Sequence, residues 1–320
     1  MTTRRRFVLQ STVACIAGAS VGMTANAAAK EARSPLFHIP SGACDCHVHV
    51  IGPQSRYPML SDRAYTPSEA SVANLRAHLA QIGMSRVVLI QPSFYGTDNA
   101  CLIDALQALG GMARGIAVID SSTPDETLQA LAANGVKGVR VNLESIGVHD
   151  PAAARNALNA LARRIAPLGW HIQIYAASNV IAASAEVIGA LDVPVVFDHF
   201  GMVQTSKGMA QPDLQPIVEL VRGGRAYVKL SAPYRISKDG PGYDDVRPLV
   251  RRFVEANPSR IVWASDWPHT DRAPGKRPTE VSPFRQVDDR GVLNQLSHWV
   301  SEPELRRRIL VSNPAALYGF

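Results

Sequence analysis

The chain reads as an α/β protein, a (β/α)8 TIM barrel finished by a C-terminal helix. Three observations predict this. Eight short apolar runs recur, at residues 43–50, 86–93, 113–120, 136–143, 171–176, 193–199, 226–231 and 261–266. Each is rich in Val and Ile and mostly lacks alternation, the pattern of strands buried on both faces. Helically spaced segments separate them, and such alternation is the barrel pattern. Finally, the first run ends in His-Val-His-Val-Ile-Gly. A doubly wound open sheet would usually place a Gly-rich phosphate turn there.

The front of the chain stands apart from this rhythm. Arg4, Arg5 and Arg6 precede Phe7, Val8 and Leu9, a mainly small and apolar stretch follows over 11–24, and Ala25-Asn26-Ala27 is a small-x-small pattern. Residues 1–27 therefore read as a twin-arginine export signal, leaving a barrel domain over 28–320 and predicting a periplasmic protein. The apolar stretch is shorter than the ~20 residues that span a bilayer, so no stable membrane anchor is expected.

The whole chain carries +6, and the part after the signal +3. With no long basic run interleaved with aromatics, nucleic acid is not an implied partner. Cys44, Cys46 and Cys101 remain after the signal, an odd count that does not suggest a disulfide framework. Cys44 and Cys46 lie two apart on the first strand. They are expected to share a face as small residues packed under the helices.

Helices are expected between the strands, in order, over 67–82, 98–109, 125–134, 150–168, 178–191, 213–222, 243–257 and 285–300. Pro124 stands near a first-turn position, where its missing N–H costs nothing. Gly135, Gly169 and Gly223 fall near helix ends, where a left-handed residue is wanted. Residues 302–320 read as a terminal helix closing the floor or side.

Barrel enzymes carry their chemistry at the C-terminal ends of the strands. The first run ends Asp45-Cys46-His47-Val48-His49, and strict alternation puts Asp45, His47 and His49 on one face, toward the mouth. Two imidazoles there can grip a metal or polarise a carbonyl. His199 ends the sixth run and Asp266 the eighth, where a carboxylate beside histidines suits a general base. Tyr175 ends the fifth. Arg140 on the fourth and Arg235 after the seventh are placed to fork an acid group, with Tyr65 and Ser93 adding hydrogen bonds. Lys229, a charge inside an apolar strand, is expected to pair within the barrel, with Asp45 as its partner.

The Asp-x-His-x-His start, the Asp-His-x-Gly at 198–201 and the Ser-Asp-Trp-Pro-His at 265–269 together resemble the amidohydrolase superfamily. Within it the chain is similar to the branch containing 2-pyrone-4,6-dicarboxylate lactonase, a likeness extended by Tyr65-Thr66-Pro67 and by residues 91–99. It covers nearly the whole chain after the signal. The fourth and fifth strands lack the lysine or acid and the terminal histidine that many amidohydrolases use for metal, and His171 stands at the wrong end of its strand. The resemblance therefore implies metal-independent chemistry. If a zinc or manganese ion is present, His47, His49 and Asp266 are its ligands. Met202 stands where the resemblance leads one to expect an arginine, which suits a substrate with fewer carboxylates, or with none.

The reading that follows is a hydrolase opening a lactone or related cyclic ester of a small organic acid. Asp266 activates water, and His47, His49, His199 and Tyr175 stabilise the carbonyl oxygen. Arg140, Arg235, Tyr65 and Ser93 hold the substrate. The alternatives are a metal-dependent hydrolase or decarboxylase, a sugar-lactone isomerase, and a non-catalytic binder on the same barrel.

Overall fold

The computed structural model describes residues 37–142 and 151–320, so the signal-like segment 1–27 lies outside the described residues. Among them, eight parallel strands follow one another around a single sheet: β1 (Cys44–Val48), β2 (Arg86–Ile90), β3 (Ala113–Ala117), β4 (Val136–Asn142), β5 (His171–Tyr175), β6 (Val195–Phe197), β7 (Ala226–Leu230) and β8 (Ile261–Trp263). Past its end, β8 returns to β1. Val48 bridges Trp267 in parallel, and Asp266 N donates to His47 O at 3.1 Å. The nearly closed (β/α)8 TIM barrel expected from the sequence is present.

Its helices are α1 (Val72–Ile82), α2 (Ala100–Leu109), α3 (Asp125–Ala133), α4 (Pro151–Ile165), α5 (Ser178–Ala183), α6 (Ala185–Ala190), α7 (Leu214–Arg222), α8 (Arg247–Ala256) and α9 (Asp289–Trp299). Local chemistry moves several starts from where the pattern alone put them. Ser71 caps α1 reciprocally with Asn74, so the helix opens at Val72. Thr66–Pro67 forms instead a short parallel ladder with Val281–Ser282. Asp288 accepts from Gly291 N at 3.0 Å and opens α9 at Asp289. The segment expected as one helix over 178–191 is broken at Ser184.

The barrel interior differs from strict alternation at β1. Asp45 pairs with Val87 and Val48 with Leu89, so three steps on β1 match two on β2. This β-bulge sets Cys46 and His47 together opposite Val88. Cys44 and Cys46 consequently pack inside the barrel with Val88, Ile116, Val196, Val262 and Tyr318, not under the helices. Asp45 faces outward, where its carboxylate meets His78 of α1 at 3.4 Å and accepts from Ser265 N at 3.0 Å. His47 and His49, beyond the bulge, reach the mouth. Cys44, Cys46 and Cys101 are free and buried.

The terminal segment closes the floor. It runs through α10 (Pro303–Arg307), a π turn at Arg308–Ser312 and α11 (Asn313–Tyr318). Tyr318 is fully buried against the inner cysteines. Arg86 and Arg114, at the starts of β2 and β3, lie over the Phe320 ring. Among the described residues no helix is long and apolar enough to cross a membrane.

Candidate active site

Above the apolar floor the barrel carries a buried polar layer. Asp198, just past β6, receives Arg140 Nε and Nη2 at 3.2 Å each, Gln173 Nε2 at 3.0 Å and His47 Nδ1 at 3.1 Å. Lys229 Nζ lies 3.3 Å from the same carboxylate and donates to Gln173 Oε1 at 2.6 Å. The partner of Lys229 is therefore Asp198 and not Asp45, because the bulge turns Asp45 out of the barrel. Burial alone would raise the Asp198 carboxyl, but Lys229, His47 and Arg140 hold it well below the usual carboxylate range. The Lys229 ammonium is lowered by burial, against the pull of Asp198.

One layer higher the candidate catalytic groups converge. His47 Nε2 is 3.3 Å from His49 Nε2 and 3.6 Å from Asp266 Oδ1, and His199 Nε2 is 3.7 Å from that same oxygen. The far side of each ring is occupied: His47 Nδ1 by Asp198, His49 Nδ1 by Ile90 O at 2.8 Å, His199 Nδ1 by Ser231 Oγ at 2.8 Å. With Nδ1 donating to Asp198 and Ile90, the Nε2 atoms of His47 and His49 present lone pairs toward the cluster. Asp266 uses its two oxygens differently. Oδ2 accepts from Tyr234 OH at 2.7 Å and from Arg235 Nε and Nη2 at 3.1 and 2.8 Å, leaving Oδ1 toward the histidines.

Electrostatics sharpen this arrangement. Burial lowers the His47 imidazolium well below its ordinary value, and with it those of His49 and His199, each to about 4. Burial acts to raise the Asp266 carboxyl, yet the Arg235 guanidinium leads the groups that keep it well below the usual range. At neutral pH the cluster is thus uncharged imidazoles around one carboxylate. Backbone strain gathers at the same end of the barrel. His199, Phe200 and Met202 after β6, Ala232 after β7, and Asp266 and His269 after β8 all have positive φ. Such conformations cost on the order of 1 kcal/mol or more each and tend to collect at functional sites.

A cavity of about 280 Å³ opens above the cluster. His49, Tyr65, Ser93, Arg140, Tyr175, His199, Arg235 and Asp266 line it, and His47 lies beneath. Every site residue expected from the sequence is thus brought to one place. The two arginines differ from expectation in one respect: each already forks a protein carboxylate, Asp198 or Asp266. Tyr175 stands between them, with the Arg140 and Arg235 guanidiniums 5.3 and 5.9 Å from its ring centre.

His47, His49 and Asp266 offer ligand atoms close enough to share a metal ion, as do His47, Asp198 and His199. A tetrahedral ion with ligands at about 2.0–2.1 Å would space them about 3.3–3.4 Å apart. The 3.3 and 3.6 Å separations around His47 are near that, and His199 adds a further nitrogen beside Asp266. Arg140 opposes a cation less than its charge suggests, since Asp198 offsets it.

Comparison with known proteins agrees with this geometry. The amidohydrolase family model matches residues 44–320. The chain belongs to the amidohydrolase family. This amidohydrolase is 35% identical over 293 residues to a 2-pyrone-4,6-dicarboxylate hydrolase of Comamonas testosteroni, a match covering 89% of the chain and 92% of that protein. It is 34% identical over 288 residues to a 4-sulfomuconolactone hydrolase of Hydrogenophaga intermedia, with the same coverage of each. A solved structure from Acinetobacter baumannii, described as a probable 2-pyrone-4,6-dicarboxylic acid hydrolase with citric acid bound, superposes with a TM-score of 0.75. It is 28% identical, and the match covers 87% of this chain and all of that one.

Several members of the amidohydrolase's site escaped the sequence reading. Asp198 is visible in the sequence only as part of a motif, Gln173 sits mid-strand, and Tyr234 adjoins the more conspicuous Arg235. A second buried network lies behind the site. His269 meets Tyr234 OH at 3.2 Å and Asp289 at 2.8 Å, and His78 stands between Asp289 and Asp45 at 3.4 Å from each. Burial would lower His78, but Asp289 and Asp45 raise it to about 9.

A raised folded-state pKa means that this contribution is complete below the unfolded value near 6.5 and fades as pH climbs through 9. Denaturant unfolding of wild type should lose stability across that window, on the order of 3 kcal/mol at most from this group. His78→Phe should flatten the loss. An unchanged slope in the variant would assign it to other groups.

Proposed function

We propose that this amidohydrolase opens the ring ester of a small lactone that carries an acid group. The observation that carries the reading is the unequal use of Asp266. One oxygen is tied to Arg235 and Tyr234, and the other faces uncharged imidazoles at the bottom of a cavity walled by arginines and hydroxyls. The lactone hydrolases among its relatives support the same substrate class.

Water beside His47, His49 and His199 gives a proton to Asp266 Oδ1 as its oxygen attacks the ring carbonyl. His199 and Tyr175 border the position of the developing oxyanion, where each donor is worth on the order of 3 kcal/mol. The ring C–O bond then breaks, and the proton held by Asp266 passes to the departing oxygen. Asp266 is a weak base, so the attacking water must itself be acidified. His47, His49 and Asp266, with His199 beside them, would hold a zinc or manganese ion, which when bound acidifies water and polarises a carbonyl. Arg140, Arg235, Tyr65 and Ser93 orient the ring, and fixed orientation removes much of the entropic barrier. We further propose that residues 1–27 direct the enzyme to the periplasm by the twin-arginine route, which Arg4→Lys with Arg5→Lys should block.

The test is a screen of aromatic-degradation and sugar lactones by acid release in a pH-stat, on protein as purified, after chelation, and after zinc or manganese is returned. Acid release from a lactone is the expected result. Ring conversion without acid release would replace hydrolysis with isomerisation. Activity unaffected by complete chelation would remove the metal from the site.

A further inference from the structure

The charged walls of the cavity are matched by protein partners, with one exception among the described residues. Arg140 pairs with Asp198, Arg235 with Asp266, and Asp271 at the rim with Arg285 at 2.6 Å. Arg272 also lines the cavity. Its side chain is exposed and has no ion pair, hydrogen bond or ring contact among the described residues.

Its backbone, by contrast, is fixed. Arg272 N donates to Asp271 Oδ1 at 3.0 Å, and Ala273 N to Ser282 Oγ at 3.2 Å. Ser282 is in turn laddered to Pro67. The backbone that carries this planar cation with an unused fork is therefore held at the cavity rim.

An acid group arriving at Arg140 or Arg235 meets a guanidinium whose charge a neighbouring carboxylate already offsets. At Arg272 it meets a charge that none of the described residues offsets. We propose that Arg272 is the specificity-determining residue that receives the carboxylate of the substrate, so that the enzyme selects ring esters whose acid group lies on the side away from the scissile carbonyl. The proposal rests on the lactone reading and deepens it: Arg140 and Arg235 shape and orient at the reacting end, while Arg272 reads the acid at the rim.

The experiment uses citrate, the acid described in the similar Acinetobacter baumannii structure, as a carboxylate probe in isothermal titration calorimetry. Wild type, Arg272→Met, Arg272→Lys and Lys276→Met are compared. Lys276 is exposed on the same loop but does not line the cavity, so its loss removes an equal charge without the proposed contact. Arg272→Met should bind citrate at least about tenfold more weakly than wild type, the loss of a charge-assisted contact. Arg272→Lys should fall between, and Lys276→Met should match wild type. With any acid lactone turned over in the screen, the kcat/KM preference for the acid over its carboxamide should fall at least about tenfold in Arg272→Met, mainly through KM.

Equal citrate affinity in wild type and Arg272→Met, equal losses in Arg272→Met and Lys276→Met, or no citrate binding by wild type would each overturn the proposal. Citrate binding that depends on Arg272 in an enzyme that opens no lactone would instead sink the lactone reading and leave Arg272 as a carboxylate receptor.

Discussion

Asp266→Asn is expected to lower kcat by at least about 10²-fold, the low end of what a positioned acid–base group contributes. The amide would settle in one orientation. Tyr234 and Arg235 both donate toward Oδ2, so the carbonyl oxygen of asparagine must take that place. Its NH2 would then face His47 and His199, presenting protons where the reaction needs an acceptor. Substrate affinity and fold should change far less, because Arg235 remains partly exposed and water can serve its freed charge. The measurement is kcat and KM on a lactone hydrolysed by wild type, with circular dichroism as the control for folding. Full activity in the variant would mean that another group takes the proton and would undo the assignment of Asp266.

The largest effect on stability is expected from Asp198→Asn. Asp198 and Lys229 are completely buried, and Arg140 nearly so. Removing the shared anion strands two cations in the barrel interior, and breaking a buried pair in this way typically costs about 3–5 kcal/mol. Because burial already lowers the Lys229 ammonium, it can shed its proton as pH rises, so the deficit should shrink in alkaline buffer. Urea unfolding at neutral and alkaline pH measures both parts. A variant as stable as wild type at neutral pH would show that Asp198 does not neutralise the layer. Activity should fall as well, since His47 loses the carboxylate that orients its ring, a support commonly worth 10–100-fold.

The strands were legible because burial on both faces writes Val and Ile in unbroken runs, and each expected run contains an observed strand. The mouth residues were legible because a polar residue ending such a run has nowhere else to go: His199, Tyr175 and Asp266 all follow this rule. What failed was alternation at β1. A bulge adds one residue without any change in composition, so neither the inward turn of Cys44 and Cys46 nor the outward turn of Asp45 could be read from spacing. The misassigned partner of Lys229 follows from that same step. The pairing of Arg140 and Arg235 with protein carboxylates depends on contacts between distant strands, which no local pattern records. Helix starts at Ser71 and Asp288 were shifted by capping side chains, a choice among several nearby candidates that only the packed structure makes.

The floor of the barrel has a consequence for how the molecule is made. The inner face of β1, among the first described residues to be synthesised, is covered by Tyr318 and Phe320, among the last. The interior therefore stays open from below, with Cys44 and Cys46 uncovered, until the segment carrying Tyr318 has been made and has folded against them. Arg86 and Arg114, which hold the Phe320 ring, belong to strands made much earlier, so the floor is latched only by contacts between early and late parts of the sequence.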